Sequence, residues 1–230
     1  MYIYGKNVAE EAISSKQKIN KVFLYKNFSD IDIVNSLKEM NVPIKYLEKN
    51  QLDNMNCPNN QGIILEVDDY SYSDIGEIKD GLVVILDHIE DPHNLGAIIR
   101  TCEAAGVEMI VIPKDRACKV NATVIKTSAG AINNMKIALV TNLNQTIRYL
   151  KDNGYWIIGT DMNGDDYRKL DYKGKTCIVI GNEGKGLSES VYNNCDFMAK
   201  IPMVGKINSL NASVATGIII FEALRSRNGL

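Results

Sequence analysis

The sequence has almost no excess of charge of either sign. Its 230 residues include 26 Lys and Arg against 28 Asp and Glu, which leaves a formal net charge of −2. Domains that bind nucleic acid through their overall electrostatic field usually carry a strong basic excess. This composition excludes such a field, so any contact with a polyanion has to come from local basic patches.

Cysteine pairs with metal-ligand spacing are also absent. The five cysteines are an odd number, and none belongs to a Cys-x-x-Cys pair: Cys57, Cys102, Cys118, Cys177 and Cys195. A disulfide framework uses an even set of cysteines, and a zinc site uses closely spaced pairs. The pattern therefore favours reduced, mostly buried thiols, and we expect no metal.

Long apolar runs are missing as well. The longest uncharged run covers residues 210–221 and contains three polar side chains, whereas a bilayer span needs about 20 apolar residues. The first residues include Lys6, Glu10 and Glu11 and lack the continuous apolar stretch of a secretory signal. We therefore expect a cytoplasmic protein with no membrane partner.

Two regions of the chain differ in their residue pattern. Residues 1–70 predict a small α/β unit with strands at 21–25, 43–47 and 62–67 and an amphipathic helix at 30–40. Asn7 and Glu10 resemble a capping box that opens an earlier helix. The polar segment at 68–74 has neither the strand period nor the helix period, so we expect a linker at 71–79 and a second domain at 80–230.

The second region alternates strands and helices at short intervals. Strands are expected at residues 82–86, 109–112, 136–140, 155–160, 177–181 and 197–201. Several of these are apolar runs without alternation, which is typical of strands covered on both faces. With helical patterns between most of them, the region predicts an α/β domain with a mostly parallel sheet.

The first candidate site segment follows strand 82–86 and ends at Arg100. Asn94 can cap a helix there. Its buried stripe recurs at helical spacing: Leu95, Ile98, Ile99, Cys102 and Ala105. Arg100 lies off this stripe beside Gly96 and two alanines, whose small side chains leave room for a ligand near the guanidinium. The alternative is a solvated ion pair of Arg100 with Glu103, three residues further on.

The second candidate segment is glycine-rich and follows strand 177–181. Gly181, Gly184 and Gly186 allow the backbone to approach a ligand closely, at the strand end where open α/β sheets bind ligands. The segment is neither a dinucleotide fingerprint nor a phosphate-binding P-loop. The alternative is an ordinary tight turn.

The third candidate segment covers residues 201–215. Asn208 or Ser209 can cap a helix whose residues 210–221 carry no charge, so we expect that helix to be buried, in part within a subunit interface. Its first turn presents polar groups from Ser209, Asn211 and Ser213 at the mouth of the sheet. The alternative is a core helix with an ordinary N-cap.

Taken together, the three segments resemble the motifs of the SpoU (TrmH-type) branch of the SPOUT RNA methyltransferases. The matching residues are Asp91-Pro-His-Asn-Leu-Gly-Ala-Ile-Ile-Arg100, Gly181-Asn-Glu-Gly-Lys-Gly186, and Ile201-Pro-Met203 with Ser209-Leu-Asn211. Ser128-Ala-Gly-Ala131 also fits the family pattern. Residues 1–70 more loosely resemble the ribosomal-protein-like substrate-binding domain of RlmB-type members.

The resemblance implies a trefoil knot in the second domain, a homodimer with two active sites near the interface, and S-adenosylmethionine as cofactor. It implies that Gly181, Ile201 and Leu210 cradle the adenosyl group. Other residues near the cofactor would be Thr160, Asn182, Gly184, Met203 and Ser209. Arg100 would be the central catalytic residue, supported by Asn94, Glu183 and Asn211.

The reaction implied by the resemblance is 2′-O-ribose methylation of RNA, most closely of a guanosine in 23S rRNA. Within the same class, a tRNA 2′-O-methyltransferase is the alternative. A non-catalytic RNA-binding or ribosome-assembly factor with the same fold is another. A nucleotide-dependent oxidoreductase lacks support because the dinucleotide fingerprint is missing.

Local basic residues could supply the RNA contacts that the net charge does not. Several lysines lie near the N-terminus, interleaved with Tyr2, Tyr4, Phe23 and Tyr25, and others lie in or near the predicted catalytic loops. Such patches make salt-sensitive contacts with phosphates. The alternative, which we favour for the aromatic residues, is that the lysines are solvated and the rings belong to the core.

Overall fold

The computed structural model describes residues 1–206 and 209–229, which form two sheets. The first sheet contains β1 (Tyr2–Tyr4), β2 (Ile19–Tyr25), β3 (Ile44–Leu47) and β4 (Ile63–Val67), in the order β1-β4-β2-β3. Strands β2 and β3 are parallel, and the other pairs are antiparallel. Helices α1 (Lys6–Ser14), α2 (Ile31–Glu39) and α3 (Lys49–Asp53) connect these strands.

The predicted helix at 30–40 is confirmed, but the capping box at Asn7 is wrong. Asp30 caps α2 by accepting a hydrogen bond from the Ile33 backbone N–H. Asn7 instead lies inside α1, which starts after Gly5 at a φ of 98°. Gln61, which lies just before β4, caps the first turn of α1 instead: its Oε1 accepts the Lys6 backbone N–H at 2.8 Å. The cap is therefore supplied from a distant part of the chain.

The second sheet confirms the predicted mostly parallel α/β architecture. It contains β5 (Val83–Leu86), β6 (Met109–Pro113), β7 (Lys136–Val140), β8 (Trp156–Asp166), β9 (Thr176–Ile180) and β10 (Phe197–Lys200). The order is β10-β8-β9-β5-β6-β7, and every neighbouring pair is parallel. The helices are α4 (Pro92–Ala104), α5 (Ala122–Ser128), α6 (Leu143–Asp152), α7 (Glu189–Tyr192) and α8 (Ala212–Asn228).

Strand β8 is longer than the predicted strand at 155–160. Its pairing with β10 runs from Gly159 opposite Met198 directly to Asp165 opposite Ala199, so residues 160–164 leave the ladder as an excursion. A Cβ on Gly164 would lie 2.4 Å from the Met198 carbonyl oxygen, so only glycine fits where the excursion rejoins the sheet. This excursion places Thr160 at the carboxyl edge of the sheet.

Helix α4 buries its predicted stripe, but its start differs from the prediction. Asp91, not Asn94, is the N-cap: its side chain accepts the His93 N–H at 2.8 Å, and Pro92 occupies the first helical position. Gly96 leaves no room for a ligand. A Cβ there would lie 2.6 Å from Thr127 Cβ, so this glycine serves close packing of α4 against α5.

Helix α8 starts and ends later than the uncharged run at residues 210–221 that predicted it. Asn211 is the N-cap and accepts the backbone N–H groups of Ser213 and Val214, so the prediction of Ser209 is wrong and Asn208 lies outside the described residues. The helix is buried on one side only. Thr216, Ile219, Ile220 and Ala223 are buried, whereas Val214 and Phe221 are 51% and 49% exposed.

The segment between the two sheets is fastened to the second one. Ser73 donates its N–H to the Ile137 carbonyl and forms a bridge beside β7, which covers the edge of the sheet. Tyr70 Oη donates to the Met135 carbonyl at 3.2 Å. Gly130 from the Ser128–Ala131 motif lies against Glu11 of α1, where a Cβ would be 2.2 Å from the carboxylate.

No helix within the described ranges is both long enough and apolar enough to cross a bilayer.

Candidate active site

A crevice of about 420 Å³ opens at the carboxyl ends of β8, β9 and β10. Three loops meet there because these strands are parallel neighbours, and the carboxyl ends of parallel strands lie at one edge. All eight residues predicted to contact a cofactor line this crevice: Thr160, Gly181, Asn182, Gly184, Ile201, Met203, Ser209 and Leu210. The structure thus joins segments that are up to fifty residues apart in the sequence.

The glycine-rich loop forms a compact turn rather than an open strand extension. Asn182 and Gly186 exchange two backbone hydrogen bonds of 2.9 and 3.0 Å, and Asn182 Oδ1 accepts the N–H groups of Gly184 and Lys185. Gly186 has a φ of 68°. A Cβ on Gly181 would lie 2.4 Å from the Gly186 carbonyl carbon. The turn is therefore closed tightly over Gly181.

A buried carboxylate that the sequence did not single out braces this turn. Asp87 follows β5 and accepts the Ser188 N–H at 2.6 Å and a hydrogen bond from the His88 ring at 2.5 Å. Asn182 Nδ2 donates to the His88 carbonyl at 2.8 Å. Because β5 and β9 are adjacent strands, the loops that follow them meet; only the strand order could have revealed this contact.

Three side chains from the three motifs form one hydrogen-bonded chain. Asn94 Nδ2 donates to Glu183 Oε1 at 2.6 Å, and Asn211 Nδ2 donates to Asn94 Oδ1 at 2.9 Å. Asn94 is only 9% exposed, and Asn211 Oδ1 also caps α8. A buried amide needs such partners, since an unpaired one costs about 1–3 kcal/mol. These contacts fix the start of α4 and of α8 against the glycine-rich loop.

Arg100 lies apart from this hydrogen-bonded chain. It is exposed, and within residues 1–206 and 209–229 its side chain forms no ion pair or hydrogen bond. The alternative of a pair with Glu103 is wrong, because that carboxylate accepts the Asn134 amide instead. Arg100 lies six residues after Asn94 in α4, about 9 Å along the helix axis. The guanidinium does not line the crevice itself and is available to an anionic ligand.

Further residues of the crevice were missed by sequence reasoning. Asp161 and Met162 come from the β8 excursion, and Lys185 belongs to the glycine-rich turn. Apolar residues of β9, β10 and α8 complete the lining: Ile180, Ala199, Ala212, Ala215 and Ile219. Asp161 directly follows the predicted strand at 155–160, so its position in the sequence could have indicated it. The lining residues of α8 could be found only from the tertiary structure.

The crevice fits S-adenosylmethionine in size and in chemistry. Its volume lies in the range of about 300–1,000 Å³ typical of small-ligand sites, with a mainly apolar lining and a few polar groups. The crevice carries the carboxylates of Asp161 and Glu183, which suit a ligand with a positive sulfonium, and its glycine-rich turn has no side chains at Gly181, Gly184 and Gly186 to block a ligand. Across the described residues, no cluster of three His, Cys, Asp or Glu side chains could hold a metal ion.

The cysteines contribute no nucleophile to this site. All five are free thiols, and Cys57, Cys102 and Cys177 are buried. Burial raises the pKa of Cys195 to about 12, and burial likewise holds the pKa of Cys102 and Cys177 above the ordinary range. A thiol that stays protonated at neutral pH does not attack. The polar side chains that line the crevice are therefore carboxylates, an amide, two hydroxyls and the Lys185 ammonium.

Comparison with known families agrees with this site. The model of the SpoU rRNA Methylase family matches residues 81–221, and a model described as RNA 2′-O ribose methyltransferase substrate binding matches residues 2–73. The parallel sheet and its three-loop crevice define an α/β protein that binds a ligand at its strand ends. More particularly, the chain belongs to the SpoU family and is an RNA methyltransferase, as the motifs predicted.

Relatives match the chain along almost all of its length. Bacillus subtilis YacO, which bears a TrmH family tRNA/rRNA methyltransferase name, is 38% identical over 239 residues, covering 99% of this chain and 96% of its own. A Staphylococcus aureus protein of the same family name is 41% identical over 238 residues, covering 98% and 96% of the two chains.

Solved structures share the fold. The AdoMet-bound rRNA methyltransferase of Sinorhizobium meliloti has a TM-score of 0.78 and 27% identity, covering 97% of this chain and 86% of its own. The SpoU methyltransferase AviRb of Streptomyces viridochromogenes has a TM-score of 0.81 at 22% identity, covering 100% and 91%. The predicted cofactor, S-adenosylmethionine, is confirmed through this family, in which both structures were solved with AdoMet bound.

Proposed function

We propose that this protein transfers the methyl group of S-adenosylmethionine to the 2′-hydroxyl of a guanosine in 23S rRNA. One observation carries the proposal: the hydrogen-bonded chain of Asn211, Asn94 and Glu183 joins all three predicted motifs beside the crevice. The substrate-binding match to residues 2–73, which is described for a 2′-O ribose enzyme, supports the ribose oxygen as the acceptor. The guanosine and 23S rRNA come from the resemblance to RlmB-type members.

The cofactor would lie in the crevice, held by residues of all three loops. S-adenosylmethionine supplies an activated methyl group on a sulfonium sulfur. We assign Gly181, Ile201 and Leu210 to the adenosyl group. Around them we place Thr160, Asn182, Gly184, Met203 and Ser209, which line the same wall. Holding the methyl carbon in line with a ribose oxygen can be worth about 7–11 kcal/mol of the barrier.

The acceptor hydroxyl would be activated by charge rather than by a strong base. A guanidinium keeps its proton because its pKa exceeds about 12, so Arg100 is a poor proton acceptor. We assign it instead to grip the phosphate next to the target ribose and to stabilise negative charge on O2′ while the hydroxyl proton passes to solvent water. Asn94, Glu183 and Asn211 would position the start of α4, the helix that carries Arg100.

We favour ribosomal RNA as the substrate because a solved rRNA methyltransferase covers more of this chain than a solved tRNA-modifying enzyme does. The rRNA methyltransferase of Sinorhizobium meliloti covers 97% of this chain, whereas a TrmH/SpoU tRNA modifying enzyme of A. aeolicus covers 65%. We propose residues 1–70 as the RNA-binding domain, 71–79 as the linker and 80–230 as the methyltransferase domain.

A homodimer with a knotted second domain is part of the same proposal. The exposed side chains of Val214 and Phe221 support an interface on α8, because they lie seven residues apart and so share one side of a mostly apolar helix. Light scattering is expected to give about twice the chain mass of 25.6 kDa. A mass of one chain at working concentration would contradict the dimer, and a crystallographic trace would test the knot.

The function is tested by offering RNA to the purified protein with S-adenosylmethionine carrying a labelled methyl group. We expect transfer to rRNA from a strain lacking the gene, with the label recovered as 2′-O-methylguanosine after nuclease digestion. Label on tRNA alone would support the tRNA alternative. Label on a base rather than a ribose would contradict the proposed acceptor. Cell fractionation would test the proposed cytoplasmic location.

A further inference from the structure

A second groove, of about 440 Å³, lies at the seam between the two domains. One wall comes from β1 and from the segment that joins the sheets. This wall contains four tyrosines: Tyr2, Tyr4, Tyr70 and Tyr72. Residues 119–123, at and before the start of α5, also line the groove. The crevice proposed for methyl transfer does not account for these four tyrosines, because none of them lines it.

Two of these tyrosines are rigidly held and neutral. Tyr70 Oη donates to the Met135 carbonyl, and Tyr72 Oη accepts the Val120 N–H at 3.0 Å. Their rings meet edge to face with centroids 5.0 Å apart. Burial raises the pKa of Tyr70 to about 12, so its hydroxyl stays protonated at neutral pH. The groove thus has a preformed aromatic wall whose geometry does not depend on a ligand.

Tyr2 contradicts the expectation that the N-terminal aromatic residues belong to the core. Its side chain is 41% exposed at the rim of the groove, with its ring edge-on to Phe23 at 5.9 Å. Lys119 lines the same groove, is also exposed and forms no ion pair in the part of the chain that the structure describes. An exposed ring and an unpaired cation in one groove match the way proteins hold unstacked nucleotides.

We propose that this groove binds an unpaired nucleotide of the substrate RNA, with its base stacked on the tyrosines and its phosphate paired with Lys119. The inference rests on the proposed function, since it takes the substrate to be RNA. The groove can hold a nucleotide, and it borders α5, which packs through Thr127 on Gly96 of α4. The groove is therefore next to a helix that packs directly against α4, which carries Arg100.

The groove predicts a preference for single-stranded RNA. Base faces are accessible to aromatic side chains only where the strand is unstacked, whereas an A-form duplex keeps them covered. A short oligouridylate is therefore expected to bind more tightly than an RNA duplex of the same length. Equal affinity for the two probes would contradict a stacking site.

Matched double variants test the groove. Tyr2→Ala combined with Lys119→Ala removes one ring and one cation at the rim. The control, Tyr149→Ala with Lys173→Ala, removes the same residue types from exposed positions outside residues 1–70 that line neither the groove nor the crevice. We expect the first variant to bind oligouridylate about tenfold more weakly, the size of one lost stacking contact, and the control to bind like wild type.

Two further readouts separate binding from a general loss of structure. Restoring the ring with Tyr2→Phe in the Lys119→Ala background should recover part of the affinity. For rRNA methylation, the groove variant should raise KM and leave kcat unchanged, because the groove lies away from the reacting atoms. An unchanged KM, or an equal loss in the control variant, would overturn the proposal.

Photo-crosslinking locates the base directly and does not depend on catalysis. Oligouridylate containing 4-thiouridine is expected to crosslink to the tryptic peptides of residues 1–6 and 50–79, which carry the four tyrosines. Crosslinks confined to other peptides would overturn the groove. If wild type crosslinks there but methylates no RNA, the groove stands and the proposed function fails.

Discussion

Arg100→Ala is expected to lower kcat for RNA methylation by about 10²–10³-fold, the cost of removing one group that stabilises developing negative charge. The affinity for S-adenosylmethionine should stay close to that of wild type, because Arg100 does not line the crevice. Single-turnover assays with labelled cofactor give the first quantity, and calorimetry gives the second.

Two further arginine variants sharpen this test. Arg100→Lys keeps the positive charge but loses the planar fork that grips phosphate with two hydrogen bonds, so it should recover only part of the rate. Arg148→Ala removes an exposed arginine from α6 and should behave like wild type. Substantial residual turnover by Arg100→Ala would refute the assigned role.

Gly181→Ala is expected to weaken S-adenosylmethionine binding by about tenfold or more and to lower the stability of the free protein. The new Cβ would lie 2.4 Å from the Gly186 carbonyl carbon and 2.6 Å from the Leu187 nitrogen, so the turn has to move. Overpacking against a fixed neighbour typically costs about 1–3 kcal/mol, and about 1.4 kcal/mol is a tenfold change in affinity. Calorimetry and thermal unfolding measure the two effects.

The matched control is the same substitution at a glycine that has space. A Cβ on Gly217 of α8 would meet only the Thr101 methyl at 3.9 Å, which is ordinary contact. Alanine is the better helix former by about 1 kcal/mol, so Gly217→Ala should raise the midpoint of thermal unfolding. If Gly181→Ala bound the cofactor as tightly as wild type, the tight turn would not shape the binding site.

Sequence reasoning succeeded where a local pattern carries the information. The apolar runs at β5, β6 and β9 predicted buried parallel strands, and the helical spacing of Leu95, Ile98 and Ile99 predicted the buried side of α4. It failed at helix starts. Gly5, Asp91 and Asn211 precede the helices, not Asn7, Asn94 and Ser209, because several nearby polar residues can cap and only the packed chain selects one.

Gly96, a neighbour of the predicted site residue Arg100, illustrates the same limit. Its small size beside Arg100 suggested space for a ligand, but in the structure it is buried against α5. A sequence shows that a side chain is small without showing which neighbour requires it. Similarly, the aromatic residue Tyr2 matched a core pattern but lies at the rim of the domain seam, a position set by how the two sheets pack.

The sequence alone determined the kinds of chemistry available: a guanidinium on a helix, glycines after a buried strand, and a polar turn before an uncharged helix. Only the tertiary structure decided that they meet, through hydrogen bonds between residues 89 and 117 positions apart. The physical reason is that periodicity and capping are local properties, encoded within a few residues. The strand order that brings the loop ends together arises from packing the whole chain.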